Sequence, residues 1–196
     1  MTKTLVRGIG SALFVAAAAL ASACAKDAPV APVGAATRAA TTLRDVSDGN
    51  RLPDLSACPQ LVAPVGSTLL LHAFGIGFQV YHWNGTSWGA PTPSATIYAD
   101  AGGHGQLATH FAGPTWLSNS GSQVVGTVAN RCTVDPASIQ WLSLTAVPTG
   151  AGIFANVTFI QRLNTVGGLA PATPGATIGQ EARQPYTADY LFYAVQ

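Results

Sequence analysis

The chain has 196 residues, of which 9 are basic and 8 acidic, so its formal net charge is +1. Charged residues make up 9% of the sequence, whereas about a quarter is usual in soluble domains. This composition leaves no basic surface for phosphates and argues against a nucleic-acid partner. Solubility must come from Ser, Thr, Asn, Gln and Gly, a pattern common in secreted β-proteins.

Residues 1–23 have the order of a secretory signal peptide. Lys3 and Arg7 come first, an apolar run follows at 12–21, and small residues come last. The run is shorter than the ~20 apolar residues of a membrane-spanning helix. Removing these two of the 9 basic residues leaves 7 against 8 acidic ones, so the mature charge is about −1. We therefore expect an extracytoplasmic protein, secreted or held at the cell envelope.

The last residues of this segment resemble a bacterial lipobox. The sequence Ala-Ser-Ala-Cys predicts that Cys24 is lipidated and anchors the protein to the membrane. Ordinary cleavage after Ala23 or Ala25 is the alternative. Residues 24–50 mix Ala, Pro, Thr and scattered charge without an apolar period, which predicts a flexible tether. The remaining residues, 51–196, are enough for one domain.

Two cysteines fall within this domain, at Cys58 and Cys132. An even pair in an oxidising compartment predicts a disulfide, and two free buried thiols are the alternative. With no CxxC pair, the spacing does not indicate zinc.

Short apolar and β-branched runs dominate the domain, and turn signals recur about every ten residues. Asn84-Gly85 between two such runs predicts a tight hairpin that brings Trp83 and Trp88 together. No stretch has the caps and period of an amphipathic helix. We therefore predict a single all-β domain, an antiparallel β-sandwich or barrel. The predicted strand runs are 67–74, 78–83, 95–98, 106–111, 123–128, 138–144, 153–163 and 190–195.

Asp100, His104 and His110 form one candidate metal site. A carboxylate and two imidazoles on a loop and the following strand could hold zinc or iron and activate water. Their spacing matches no recognised metal signature. The alternative for His110 is a buried imidazole that hydrogen-bonds a backbone carbonyl beside the turn at 113–114.

Arg162, Asn164, Asp189 and Tyr190 form a second candidate, a polar cluster. Arg162 and Asp189 are favoured as a structural ion pair across strands. A cleft that binds a polar ligand such as a sugar is the alternative.

Three tryptophans are candidates for stacking on sugar faces: Trp83, Trp88 and Trp116. Aromatic residues at strand spacing are more often part of the core.

Other motifs argue against particular enzyme classes. Residues 150–155 spell G-x-G-x-x-A, but β-branched and aromatic residues follow where a dinucleotide-binding helix is required. No Gly-x-Ser-x-Gly elbow is present for acyl transfer. Glu181 is the one glutamate in the chain, so a carboxylate pair for glycoside hydrolysis would depend on scattered aspartates.

A series of short motifs runs in order along the domain from Leu52 onward. The chain thereby resembles the family catalogued as domain of unknown function 3455, which is typically secreted and has no assigned activity. The motifs are Phe78-Gln79-Val80-Tyr81, His110-Phe111-x-Gly113-Pro114-Thr115-Trp116, Gly121-Ser122-x-Val124-Val125-Gly126, Ile139-Gln140-Trp141-Leu142, Ile160-Gln161-Arg162-x-Asn164-Thr165-x-Gly167-Gly168-x-Ala170-Pro171 and Tyr186-x-Ala188-Asp189-Tyr190-x-Phe192-Tyr193.

The chain departs from this family in its cysteines. The family tends to have one near the position of His82 or Trp83 and another within 173–176. Here the cysteines stand at 58 and 132 instead, so a disulfide would join a different part of the fold.

These observations favour a non-enzymatic binding or structural role at the cell envelope. The ligand would be a small molecule or a glycan, and no cofactor is expected. The alternative is a metal-dependent hydrolase or oxygenase that uses His110, His104 and Asp100.

Overall fold

The computed structural model describes residues 53–195. The predicted signal peptide, Cys24 and the predicted tether lie outside the described residues. Among those described, no helix is long and apolar enough to cross a bilayer, and a short 3-10 helix, Pro59–Leu61, precedes eight strands. The strands are β1 (Thr68–His82), β2 (Thr92–Tyr98), β3 (Gln106–Phe111), β4 (Thr115–Ser118), β5 (Gln123–Cys132), β6 (Trp141–Thr149), β7 (Phe159–Gly167) and β8 (Glu181–Ala194).

Each strand pairs antiparallel with the next, and β8 pairs with β1, so the sheet closes into a barrel. The closing pair runs from Thr68 opposite Ala194 to His82 opposite Glu181, with an irregularity between Leu69 and Leu71. The all-β prediction is confirmed, and this pairing makes the domain a barrel.

The runs predicted at 67–74 and 78–83 form one strand, β1, because Gly75 and Gly77 continue it. Both glycines stand where a side chain would collide with the barrel wall or interior. A Cβ on Gly75 would lie 2.5 Å from the Cε2 atom of Tyr190, and one on Gly77 would lie 2.4 Å from the Cα atom of Ala95. The glycines therefore give room to their neighbours instead of ending the strand.

The strand predicted at 153–163 is wrong in its first half, because β7 begins only at Phe159. Residues 150–158 form turns that carry Phe154 and Val157 into full burial in the interior core. Their apolar character serves to close one end of the barrel. The run predicted at 138–144 likewise starts late, at Trp141.

The barrel has two chemically different ends. We call the end with loops 83–91, 112–114, 133–140 and 168–180 the upper end. The lower end has loops 99–105, 119–122 and 150–158. Phe154 and Val157 fill the interior at the lower end.

A second apolar cluster lies on the outside of β7 and β8, under residues 53–66. Leu55, Cys58 and Leu61 pack there against Phe159 and Tyr193. The Cys58–Cys132 disulfide, with a Cα–Cα distance of 5.9 Å, ties this segment to the end of β5. The predicted disulfide is confirmed.

We expect the double variant Cys58→Ala/Cys132→Ala to lose about 4 kcal/mol of the free energy of unfolding, because the bond closes a long loop in the unfolded chain. The sequence separation that it spans is 74 residues. Urea denaturation of both proteins, with and without reductant, measures the loss. Equal stability of the two proteins under oxidising conditions would contradict the expectation.

We expect Gly77→Ala to destabilise the domain by about 1–3 kcal/mol through overpacking. The new methyl group would meet the Ser94 carbonyl oxygen at 2.4 Å, and backbone cannot rotate away. Gly89→Ala is the matched control, because its nearest contact would be the His82 carbonyl oxygen at 3.4 Å. Urea denaturation should separate the two variants, and equal effects would show that β1 has room for the methyl group.

Candidate functional site

The upper half of the barrel interior holds polar side chains among aromatic and apolar ones. Strand alternation points Arg162 inward, opposite Tyr190 on β8 and Leu142 on β6, both members of the interior core. We call the group of inward polar and aromatic residues the inner polar cluster. Its members are Gln79, Tyr81, His110, Trp116, Arg162, Tyr186 and Tyr190.

Tyrosine hydroxyl groups connect much of this cluster. The hydroxyl groups of Tyr186 and Tyr190 lie 3.2 Å apart, and the hydroxyl group of Tyr81 donates to the Gly168 carbonyl oxygen at 2.6 Å. Burial raises the pKa of all three tyrosines, and the charge of Arg162 opposes that rise. The hydroxyl groups therefore stay protonated at ordinary pH and act as neutral hydrogen-bonding groups.

Arg162 is half-buried and brings a positive charge to this interior, with its Nε atom fully buried. Its Nη2 atom donates to the Gln140 carbonyl oxygen at 2.8 Å, which places the guanidinium below the loop at 133–140. Within residues 53–195, no carboxylate lies at salt-bridge distance from it. Among the described residues its charge is therefore met by neutral oxygen atoms and aromatic rings, and its bond to Gln140 is exposed to solvent.

Three nitrogen atoms of the cluster are buried without a hydrogen-bond partner. They are Nε2 of Gln79, Nε1 of Trp116 and Nε of Arg162. The side chains of Gln79 and Arg162 do lie near the hydroxyl groups of Tyr186 and Tyr190, respectively, and each contact lowers the pKa of its tyrosine. Gln79 is 2% exposed and Trp116 is 1% exposed. A buried donor that lacks an acceptor costs about 1–3 kcal/mol, and such groups are rare in native folds. The upper interior is therefore the candidate functional site.

His110 packs at the centre of this site. Its ring stacks on Trp116 at 4.2 Å between centroids and meets Tyr190 edge-on at 5.3 Å. Its Nδ1 atom lies 2.9 Å from the Thr115 carbonyl oxygen, which can only accept, so Nδ1 carries the hydrogen. Burial lowers the pKa of His110 to about 3. The structure thus shows the buried imidazole that the sequence left as the alternative.

Asp100 and His104 lie elsewhere, in the loop at the lower end. The Nδ1 atom of His104 is 3.1 Å from Oδ1 of Asp100, and both side chains are well exposed. The backbone N–H of His104 is the main cause that lowers the pKa of Asp100. His110 faces the interior from the other end of β3, so the structure brings together two of the three predicted residues. Within residues 53–195 no three His, Cys, Asp or Glu side chains are grouped as metal ligands would be.

The second predicted cluster divides between the two faces of the barrel wall. Asp189 lies opposite Leu163 on the outer face. There it accepts a hydrogen bond from Asn164 Nδ2 at 2.7 Å, and His72 Nε2 lies 3.6 Å away. The favoured Arg162–Asp189 pair is not formed. Arg162 lies opposite Tyr190 and points inward with it, whereas Asp189 is the residue before Tyr190 on β8 and therefore points outward.

The predicted stacking residues also divide. Trp116 is core, whereas Trp83 and Trp88 form the predicted hairpin bridge at the upper end, with ring centroids 5.4 Å apart. The Nε1 atom of Trp88 donates to the Thr173 carbonyl oxygen. A Cβ on Gly175 would lie 2.5 Å from Trp83 Cγ. The two tryptophans therefore hold the loop at 168–180 in place at the upper end, near the positions where the family tends to have its cysteines.

Sequence reasoning missed Gln79, Tyr81 and Tyr186 as members of the site. Gln79 and Tyr81 continue the two-residue period of Gly75 and Gly77 along β1, and all four face inward. That alternation is the signal that could have found them.

Comparison with known proteins identifies a family without an activity. The family model described as "Protein of unknown function (DUF3455)" matches residues 11–194. No curated protein and no solved structure matches the chain.

We expect His110 to make the domain less stable as the pH falls from about 6.5 toward 3. The unfolded chain binds a proton in this range and the folded protein does not, so the free energy of unfolding falls by up to ~1.4 kcal/mol per pH unit. Urea denaturation between pH 7 and 4 measures the slope. His110→Gln should flatten it, and an unchanged slope in that variant would assign the acid sensitivity to other groups.

Proposed function

The chain belongs to the DUF3455 family, whose description assigns no activity, and we propose that it is an exported, non-enzymatic binding protein. In this proposal a small ligand enters the upper end of the barrel and contacts the inner polar cluster. The observation that carries the proposal is the set of three buried nitrogen donors without acceptors, on Gln79, Trp116 and Arg162.

A purely structural interior would gain little from these groups. Apolar side chains of similar volume often stabilise a core as well as a buried charged group does, or better. An eight-stranded barrel has an interior just wide enough for side chains or one small ligand. A ligand that accepts hydrogen bonds from these groups would account for their presence at the upper end.

The proposed location outside the cytoplasm has two supports. The Cys58–Cys132 disulfide persists most readily in an oxidising compartment. Residues 1–23 have the order of a signal peptide, and lipidation at Cys24 would anchor the domain to the membrane.

The other functions that the sequence suggests have less support. A metal-dependent hydrolase or oxygenase would need a further ligand beside Asp100 and His104, because His110 lies in the interior. A glycan stacked on Trp83 and Trp88 would compete with their contacts to the loop at 168–180. A small sugar within the barrel remains a member of the proposed ligand class.

We expect Arg162→Met to leave the free energy of unfolding unchanged or to raise it by about 1 kcal/mol, because removing the unpartnered buried Nε donor offsets the loss of the Nη2 hydrogen bond to Gln140. Urea denaturation of the ligand-free protein measures the change. Arg183→Met is the control, since Arg183 is exposed on β8 and lies over Phe78 at 4.7 Å. A loss of about 3 kcal/mol confined to Arg162→Met would instead assign Arg162 a structural role.

A further inference from the structure

We propose that the ligand of the inner polar cluster is a small carboxylate attached to a planar ring. This inference rests on the proposed function and adds the chemical class of the ligand. Charge, hydrogen-bonding capacity and the shape of the surrounding side chains each support it.

The positive charge of Arg162 favours an anionic ligand. Arg162 has no carboxylate partner within residues 53–195, and it is the only positive group among the members of the cluster. His110 is neutral at ordinary pH because of its burial. An uncharged sugar would satisfy donors here but would leave the guanidinium charge without a counterion.

The three unpartnered nitrogen atoms favour a ligand that carries hydrogen-bond acceptors. The three nitrogen atoms on Gln79, Trp116 and Arg162 are all donors. A carboxylate only accepts, it offers about four lone-pair sites, and its flat geometry suits the guanidinium fork. One such group can therefore serve several of these donors at once.

The side chains around the unpartnered donors are largely aromatic. Trp116 and His110 stack at 4.2 Å, and Tyr190 meets the Trp116 ring edge-on at 5.5 Å. Glycine at 75 leaves space into which the Tyr190 ring fits. Flat aromatic surfaces favour a flat ligand through offset and edge-on contacts, and an eight-stranded barrel is wide enough for side chains or for one small ligand.

The experiment titrates the full chain with benzoate, benzamide, glucose and inorganic phosphate, each as a separate probe. The readout is the Nε1–H NMR signal of Trp116, which is the indole signal that Trp116→Phe removes. We expect benzoate to shift this signal, and the three other probes to bind at least tenfold more weakly. Benzamide has the ring without the charge, and phosphate has the charge without the ring.

Variants assign the binding to residues. Arg162→Met should weaken benzoate binding at least tenfold, and Gln79→Leu should weaken it severalfold while the charge remains. Arg162→Lys keeps the charge without the planar fork and should fall between wild type and Arg162→Met. Arg183→Met should bind benzoate within twofold of wild type. Thermal denaturation of each variant confirms that it is folded.

Several outcomes would overturn the inference. They are equal binding of benzoate and benzamide, phosphate binding as tight as benzoate binding, and benzoate binding that Arg162→Met does not change. If glucose alone shifts the Trp116 signal, the interior binding function stands and the carboxylate assignment falls. If no probe shifts it, the assignment also falls, and the stability comparison of Arg162→Met with Arg183→Met decides the proposed function.

Discussion

The pairing of β1 with β8 is the constraint on which the structure depends. These two long strands join along nearly their whole length, from Thr68 opposite Ala194 to His82 opposite Glu181. Closure leaves no unpaired strand edge and gives every strand an inner and an outer face. On the inner face, a residue that lies close to a neighbouring strand or a large side chain must itself be small. This is why β1 carries Gly75 and Gly77 where Tyr190 and Ala95 approach.

Within that closed wall, the interior changes character from one end to the other. Phe154 and Val157 close the lower end with apolar side chains, whereas Arg162, Gln79 and the tyrosines stand toward the upper end. Burying polar groups without partners reduces stability. Most protein cores leave few polar groups without a hydrogen bond. Exceptions to this pattern are expected at functional sites, and the upper interior of this barrel is such an exception.

The outer surface has a separate, structural role. Residues 53–66 cover β7 and β8, held by the disulfide and by a hydrogen bond from Gln161 Nε2 to the Leu61 carbonyl oxygen at 2.6 Å. At the upper end, Trp83 and Trp88 fix the loop at 168–180. These outer contacts add to the stability that the larger apolar core supplies inside the barrel.

The sequence by itself determined the all-β class, the hairpin at Asn84-Gly85 and the bounds of β3, and it favoured the disulfide, because these follow from local period, turn chemistry and composition. It also supplied the residues of the site without their arrangement. Only the tertiary structure decided that Arg162 and Asp189 point to opposite faces, that His110 lies apart from Asp100 and His104, and that Phe154 closes the barrel. The reason is that the face to which a side chain points depends on strand register and on closure of the barrel, and both arise between strands distant in the chain.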